Sequence, residues 1–416
     1  MPDAWERERP QPVAVGPPRR RLSRADRMRE ARRRRRRRLA RGVTLCVFIV
    51  IVVGAVFLGS RLWHTVFGGG SDYSGGGKAD VVIRVHDGDS TTAIGQTLED
   101  HDVVATSKAF LSAAQGNTSI QAIQPGYYKM RTEISGADAV TRLADPQSRV
   151  GKLVIPEGRQ LDDIQDVKTN DVTEGIFRLI SNATCVDLDG DRRCVSADAL
   201  KEAAGTATLK ELSVPDWATK PVQAMGDDHR RLEGLIAPGS WDVDPSASPR
   251  EILSSLVGAS AYQYAQGGLL DTAKSLGMTP YQILTVASLV QRESKPEDFD
   301  KVARVIYNRL VAPDHRRLEF DSTVNYSLDR QEVATTDADR ARETPWNTYA
   351  REGLPATPIC SPSSEALAAA ERPAAGDWLY FVTIDLQGTT LFTKDYPQHL
   401  ANIELAKRNG VLDSAR

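Results

Sequence analysis

Chemistry has few places to sit in this chain, and the foremost is one carboxyl at the end of an apolar helix. The stretch Leu284-Thr285-Val286-Ala287-Ser288-Leu289-Val290-Gln291-Arg292-Glu293-Ser294 passes abruptly from apolar to charged. Just upstream, Thr279 and Pro280 predict a helix start, with Thr279 as N-cap, Pro280 at the first helical position and Gln282 closing a capping box. At 3.6 residues per turn Val286, Leu289, Val290 and Glu293 share one face. Partial burial at the end of that stripe would raise the pKa of Glu293. A carboxyl still protonated near neutral pH can hand its proton to a leaving group. The same pattern fits a solvated glutamate in the last turn of a core helix, and periodicity does not separate the two. Other carboxylates compete weakly. Glu157 sits in a Pro156-Glu157-Gly158 turn that needs no function to explain it, and Gly234 and Pro238 bracket Glu233 as they would a structural turn.

Other reaction chemistries find little support. The six histidines and the scattered serines give no Ser-His-Asp arrangement. None of the four cysteines has a histidine at ligand spacing, so neither a metal nor a cofactor is expected. Cys185 and Cys194 are close enough in sequence to close a small disulfide loop in an oxidising compartment, which leaves Cys360 unpaired. Between them Asp187-Leu188-Asp189-Gly190-Asp191 alternates like a calcium loop, with Asp198 at the twelfth position. Arg192 stands where such a loop requires glycine, and Arg193 adds a second positive charge. The expectation is a disulfide-pinned surface loop.

The elements that must carry Glu293 follow a segment of a different kind. Residues 1–42 hold 16 arginines against 5 acidic residues, including the run Arg32 to Arg38, while the remainder carries 37 basic and 50 acidic residues. An uncharged run from Val43 to Gly59, edged by Leu62 and Trp63, reaches the roughly 20 residues a helix needs to cross a bilayer. Arginine on one flank directs the N-terminus to the cytoplasm. The expected order is a basic, disordered cytoplasmic tail (1–42), an uncleaved membrane helix (43–63), a Gly/Ser-rich linker (64–78) and an extracytoplasmic remainder. Topology explains the arginine run, so no nucleic-acid partner is expected.

Beyond the linker, Val81-Val82-Ile83-Arg84-Val85 reads as a strand, and Gly88-Asp89-Ser90 caps a helix carrying Ile94 and Leu98. Ser107 opens a second helix, Gln124-Pro125-Gly126 turns into a strand, and Ser135-Gly136-Ala137 opens a third helix. This β-α-α-β-α unit (79–147) resembles a LysM-like carbohydrate-binding module, and a generic spacer domain fits the same pattern. More specific blocks follow: Val154-Ile155-Pro156-Glu157-Gly158, Glu233-Gly234-Leu235-Ile236-Ala237-Pro238, Ala287 to Glu293, and Val305-Ile306-Tyr307-Asn308-Arg309-Leu310. Then come Leu318 to Tyr326, Trp346-Asn347-Thr348-Tyr349 with Gly353-Leu354-Pro355, and Leu379-Tyr380-Phe381-Val382. In this order and spacing, over roughly residues 79 to 408, the chain resembles the YceG-like family of membrane-anchored endolytic murein transglycosylases.

The resemblance implies an α+β chain: one membrane helix, the LysM-like unit, and a mixed α+β catalytic domain over 148–410 with an insertion near 183–228. It implies a lyase that cuts nascent peptidoglycan glycan strands between N-acetylmuramic acid and N-acetylglucosamine and leaves 1,6-anhydro ends. The partners implied are glycan strands, the cell membrane, and peptidoglycan synthases or division and elongation proteins. Glu293 takes the place of the catalytic acid. Many relatives carry a second Glu where this chain has Gln291, which narrows the choice to Glu293 and removes a nearby like charge. Asn308 and Arg309 match the family on the next helix and are expected to line the substrate groove, a structural ion pair being the other reading of Arg309. Asp321, Ser322 and Thr323 are expected to hold sugar hydroxyls or orient the acid, and Tyr326, Asn347 and Tyr349 to supply stacking and amide contacts. Gly388-Thr389-Thr390 replaces a Gly-His of many relatives, and His399 is expected to pack or cap. The alternative function is a non-catalytic peptidoglycan-binding scaffold of the wall-synthesis machinery, in which packing would cap Glu293.

Overall fold

Two hydrophobic clusters organise the protein, and each has its own secondary structure. The computed structural model describes residues 72–411, apart from 168, 329 and 332–334. The basic tail, the expected membrane span and residues 64–71 of the linker lie outside the described residues. Among the described residues, no helix is long and apolar enough to cross a membrane.

The smaller cluster belongs to β1 (Asp80–Val85), α1 (Thr91–Asp100), α2 (Ser107–Ala114), β2 (Gly126–Arg131), α3 (Gly136–Ala144) and β3 (Arg149–Val150). Ser90, Thr106 and Ser135 each accept a backbone N–H three residues on, so the three helices start where their hydroxyl caps dictate. β2 pairs antiparallel with both β1 and β3. Ile83, Leu98, Phe110, Met130 and Val140 fill the space between sheet and helices. A Cβ on Gly136 would stand 2.5 Å from the Ala109 carbonyl oxygen, so only glycine lets α3 approach α2 this closely.

The larger cluster is mainly helical, with short strand pairs at its margins. β4 (Lys152–Ile155) pairs with β9 (Gly239–Asp242), and β5 (Ile164–Asp166) lies between β6 (Val172–Thr173) and β10 (Arg330–Gln331). Its helices are α4 (Ile176–Ala183), α5 (Ala197–Thr206), α6 (Thr219–Ala224), α7 (Pro249–Gln266), α8 (Leu269–Leu276), α9 (Pro280–Glu293), α10 (Phe299–Val311), α11 (Asp321–Leu328), α12 (Asp337–Arg340), α13 (Ser364–Glu371) and α14 (Tyr396–Arg408). Two hairpins complete it, β7 (Val186–Leu188) with β8 (Asp191–Arg193), and β11 (Tyr380–Thr383) with β12 (Thr390–Thr393). The architecture is mixed α+β.

α9 is the central element, and its surroundings differ from the apolar stripe its periodicity predicts. Every residue from Ile283 to Val290 is buried, so the helix is enclosed on all sides. Its two internal hydroxyls are satisfied locally: Thr285 Oγ1 donates to the Tyr281 carbonyl at 2.8 Å and Ser288 Oγ to that of Thr285 at 2.7 Å. Such bonds let polar residues sit inside a core helix without an unpaired group.

The segment near 183–228 is not a surface loop throughout. Leu200, Ala203, Ala204, Leu212, Ala218 and Val222 lie in the main core. Only the β7–β8 hairpin stands out, with Cys185 and Cys194 joined across its base. Its acidic loop is turned onto the smaller unit: Asp80 N donates to Asp189 Oδ1 at 2.8 Å, Asp189 N to Asp80 Oδ2 at 2.9 Å, and Lys129 pairs with Asp80 at 3.0 Å. A second polar clasp joins Arg149 of β3 to Asp242 of β9 at 2.8 Å.

Candidate active site

The capping box of Thr279 and Gln282 fixes where α9 starts, and its end is equally definite. Ser294 turns extended, with φ −149° and ψ 177°, and Pro296 follows. Glu293 is therefore the last helical residue, delivered half-buried to the edge of the core. It opens on a cavity of about 450 Å³ shared with Arg309, Arg340, Tyr349, Tyr380 and His399.

Burial is the largest influence on the Glu293 carboxyl and pushes its pKa up to about 7; the like charge of Asp321 adds to the rise, while Ser322 and Arg292 pull it down. Ser322 lowers it as a hydrogen-bonding neighbour, through both its side chain and its backbone. The outcome is a carboxyl whose pKa lies near neutral pH, as a general acid requires.

Asp321, the first residue of α11, gathers one wall. Its Oδ1 accepts from Thr335 Oγ1 at 2.6 Å, Tyr349 Oη at 2.9 Å and Arg340 Nε at 3.2 Å, and its Oδ2 accepts from Arg340 at 3.1 Å. Arg340 lies over the Tyr349 ring at 4.9 Å. The opposite wall is built on Arg309, which donates to the Leu318 carbonyl at 2.7 Å and to Glu319 at 2.9 Å. Tyr380 stands 5.6 Å from that guanidinium, stacks on His399 at 5.0 Å and hydrogen-bonds His315 at 2.5 Å. Burial and Arg309 hold the pKa of His399 down.

The residues expected from the sequence divide between this cavity and the scaffold. Arg309 and Tyr349 line it with Glu293, while Asp321 and Ser322 stand immediately behind. The other four do structural work instead. Asn308 spends its carboxamide on the Gly376 and Trp378 carbonyls and lines a separate cavity. Thr323 is fully buried, donating to Phe320 O and paired with Thr348 Oγ1 at 2.9 Å. Tyr326 is buried and donates to Glu233 at 2.9 Å. Asn347, also fully buried, donates to the carbonyls of Asp339, Arg340 and Arg342. Each is held in place by backbone or side-chain partners of its own.

Glu233 is fully buried, and its pKa is pushed up to about 8, mainly by burial. Its Oε2 accepts from Leu161 N and Tyr326 Oη, which makes it a bolt between two segments. Glu157 is exposed and borders a different cavity. Gln291 does not neighbour Glu293: two positions back along a helix is the far side, and its Oε1 accepts the Ser363 N–H at 2.8 Å, at the start of α13. A carboxylate there would meet that amide rather than the acid. Arg340, Tyr380 and His399 are the residues sequence reasoning missed. Tyr380 stood inside a quoted block and His399 was set aside as packing, whereas Arg340 carries no motif.

Comparison with known proteins adds the following. The sequence model of the YceG-like family matches residues 83–405. An endolytic murein transglycosylase of Streptococcus pneumoniae is 26% identical over 349 residues, covering 78% of this chain and 58% of the relative. One from Bacillus subtilis is 26% identical over 325 residues, covering 77% of this chain and 83% of the relative. The chain thus spans a little over half the length of the pneumococcal protein. The crystal structure of a YceG-like protein from Listeria monocytogenes shares the fold, with TM-score 0.50 and 23% identity over 77% of this chain and 98% of that one.

Proposed function

The chain belongs to the YceG-like family, and on that footing we propose that it is an endolytic murein transglycosylase. Its substrate is the peptidoglycan glycan strand, cut between N-acetylmuramic acid and N-acetylglucosamine. The protonated Glu293 gives its proton to the glycosidic oxygen as the bond from C1 to that oxygen breaks. The C6 hydroxyl of the same muramic acid then attacks C1 and returns its proton to the Glu293 carboxylate. No water is consumed, and the products are a 1,6-anhydro end and a free 4-hydroxyl. One carboxyl can serve both steps, whereas glycoside hydrolysis uses two. Arg309, Arg340, Tyr349, Tyr380 and His399 supply the walls that hold the sugars.

The observation that carries this reading is a neutral-range carboxyl at the rigid end of an enclosed helix, opening on a cavity. A purely scaffolding protein has no use for that arrangement and would cap Glu293 by packing. The smaller unit is proposed to grip glycan in the manner of a LysM module. Residues 43–63 are proposed to anchor the chain as a single-pass span in the cell membrane, with the N-terminus cytoplasmic. Strands would then be cut close to where they are made, beside the synthases and the division or elongation machinery. Digestion of isolated peptidoglycan with the full-length chain tests the activity. Mass spectrometry should find 1,6-anhydro ends, reduced about 10²- to 10⁴-fold by Glu293→Gln. Reducing ends would make the protein a hydrolase, and undiminished activity of the variant would remove Glu293 from the reaction.

A further inference from the structure

Glu293 must keep its proton until the sugar bond breaks, and the groups that govern this can be named. Apart from Arg292 on its own helix, they face it from the two cavity walls. On one wall, Arg309 and Glu319 neutralise each other at 2.9 Å. His399 beside them has its pKa held down by burial and Arg309, that of Tyr380 is held up, mainly by burial, and Tyr396 adds a second phenol. The other wall consists of Arg340 and Tyr349, and both are tied to Asp321 one layer behind it.

Three features single out Asp321. Donors from three separate places along the chain, Thr335, Arg340 and Tyr349, converge on its one carboxylate. It opens α11, where the helix dipole favours a negative charge. Its chain neighbour Ser322 adjoins Glu293, so α11 holds the Asp321 charge within electrostatic reach of the acid. Resting on the reading of Glu293 as proton donor, we infer that Asp321 is a positioning residue: it fixes Arg340 and Tyr349 in the cavity wall, and its charge, offset by Arg340, adds to what burial does in holding the proton on Glu293. The Asp321–Arg340 pair is then a setting device for the acid as well as a structural tie. The sign is defined. A negative charge nearby favours the protonated acid, and a positive one favours its ionised form.

The test is the alkaline limb of the pH dependence of kcat/KM for anhydro-end release by the full-length chain. That limb reports loss of the Glu293 proton in the free enzyme. Asp321→Asn keeps the size and an acceptor oxygen but loses the charge, and should move the limb down by about half to one pH unit. Arg340→Gln leaves Asp321 uncompensated and should move it up by a similar amount. The double variant should lie near the wild type. Asp321→Glu and Tyr349→Phe preserve the charge and should leave the limb in place, whatever they do to the rate. If Asp321→Asn and Arg340→Gln slow the enzyme without moving the limb, or move it in the same direction, Asp321 is a structural tie alone and the inference is overturned. A carbon-13 NMR titration of the Glu293 carboxyl in the same proteins reads these shifts without turnover. Absence of anhydro ends from wild type would therefore count against the proposed activity, while the titration would still decide for or against Asp321.

Discussion

At the scale of single residues, burial turns two glutamates into acids of different use. Glu293 meets a cavity and can exchange its proton with a ligand. Glu233 is sealed in, with Oε2 hydrogen-bonded and Oε1 lacking a protein partner. Because the folded-state pKa of Glu233 is raised to about 8 from 4.5, the folded chain holds a proton that the unfolded chain releases. The stability this contributes is complete below about pH 4.5 and is lost as pH rises towards 8. Glu233→Gln retains an acceptor for Leu161 and Tyr326 and abolishes the slope. Thermal denaturation should give similar midpoints for variant and wild type near pH 5. At pH 8 the variant should melt higher, with each kcal/mol regained worth roughly 2 °C. Neither pKa could be read from sequence, since burial depends on what other segments place around each carboxyl.

At the scale of elements, what is local was legible and what is long-range was not. The start of α9 followed from Thr279, Pro280 and Gln282, three positions within one turn with a known mutual geometry. The caps of α1 and α3, Ser90 and Ser135, followed from single hydroxyls for the same reason, while α2 begins at Ser107 as expected but is capped by Thr106, one residue earlier. Periodicity described α9 less well, because a helix enclosed on every side has no polar face to set off a stripe. The loops were least legible. Tyr326 and Asn347 have the composition of sugar-binding residues, yet Tyr326 answers to Glu233, 93 positions away in sequence, and Asn347 closes a loop around three carbonyls. Removing the Asn347 amide takes its donor from the Arg340 and Arg342 carbonyls, while that of Asp339 keeps the Arg342 N–H. Asn347→Ala should therefore cost about 2–3 kcal/mol in urea denaturation. It should also disturb Arg340, whose own carbonyl is one of the three. Were Asn347 instead a surface contact to sugar, the variant would denature like the wild type and show only a raised KM.

At the scale of the whole molecule, the smaller unit is held to the helical body by the β7–β8 hairpin and by Arg149 on Asp242. The Asp80 side chain is only 8% exposed, so this clasp is shielded better than an ordinary surface ion pair. Asp80→Ala should loosen the hairpin and raise cleavage near residues 186–193 in limited proteolysis, with little change in the melting of the body. An unchanged digestion pattern would show that apolar packing alone holds the hairpin. The cysteine pattern gives that hairpin a second significance, in the life of the newly made chain. A chain that meets oxidant before it is folded presents, among the described residues, Cys185, Cys194 and Cys360, and only one pairing of these is right. Cys185 and Cys194 lie 9 positions apart, so the correct loop is much the cheapest to close. The odd thiol, Cys360, ends fully buried with its Sγ against the Ser288 carbonyl of α9. Growth of the core around α9 thus removes the competing thiol among the described residues, and sequence proximity with burial does the proofreading that a longer-range bridge would leave to an isomerase.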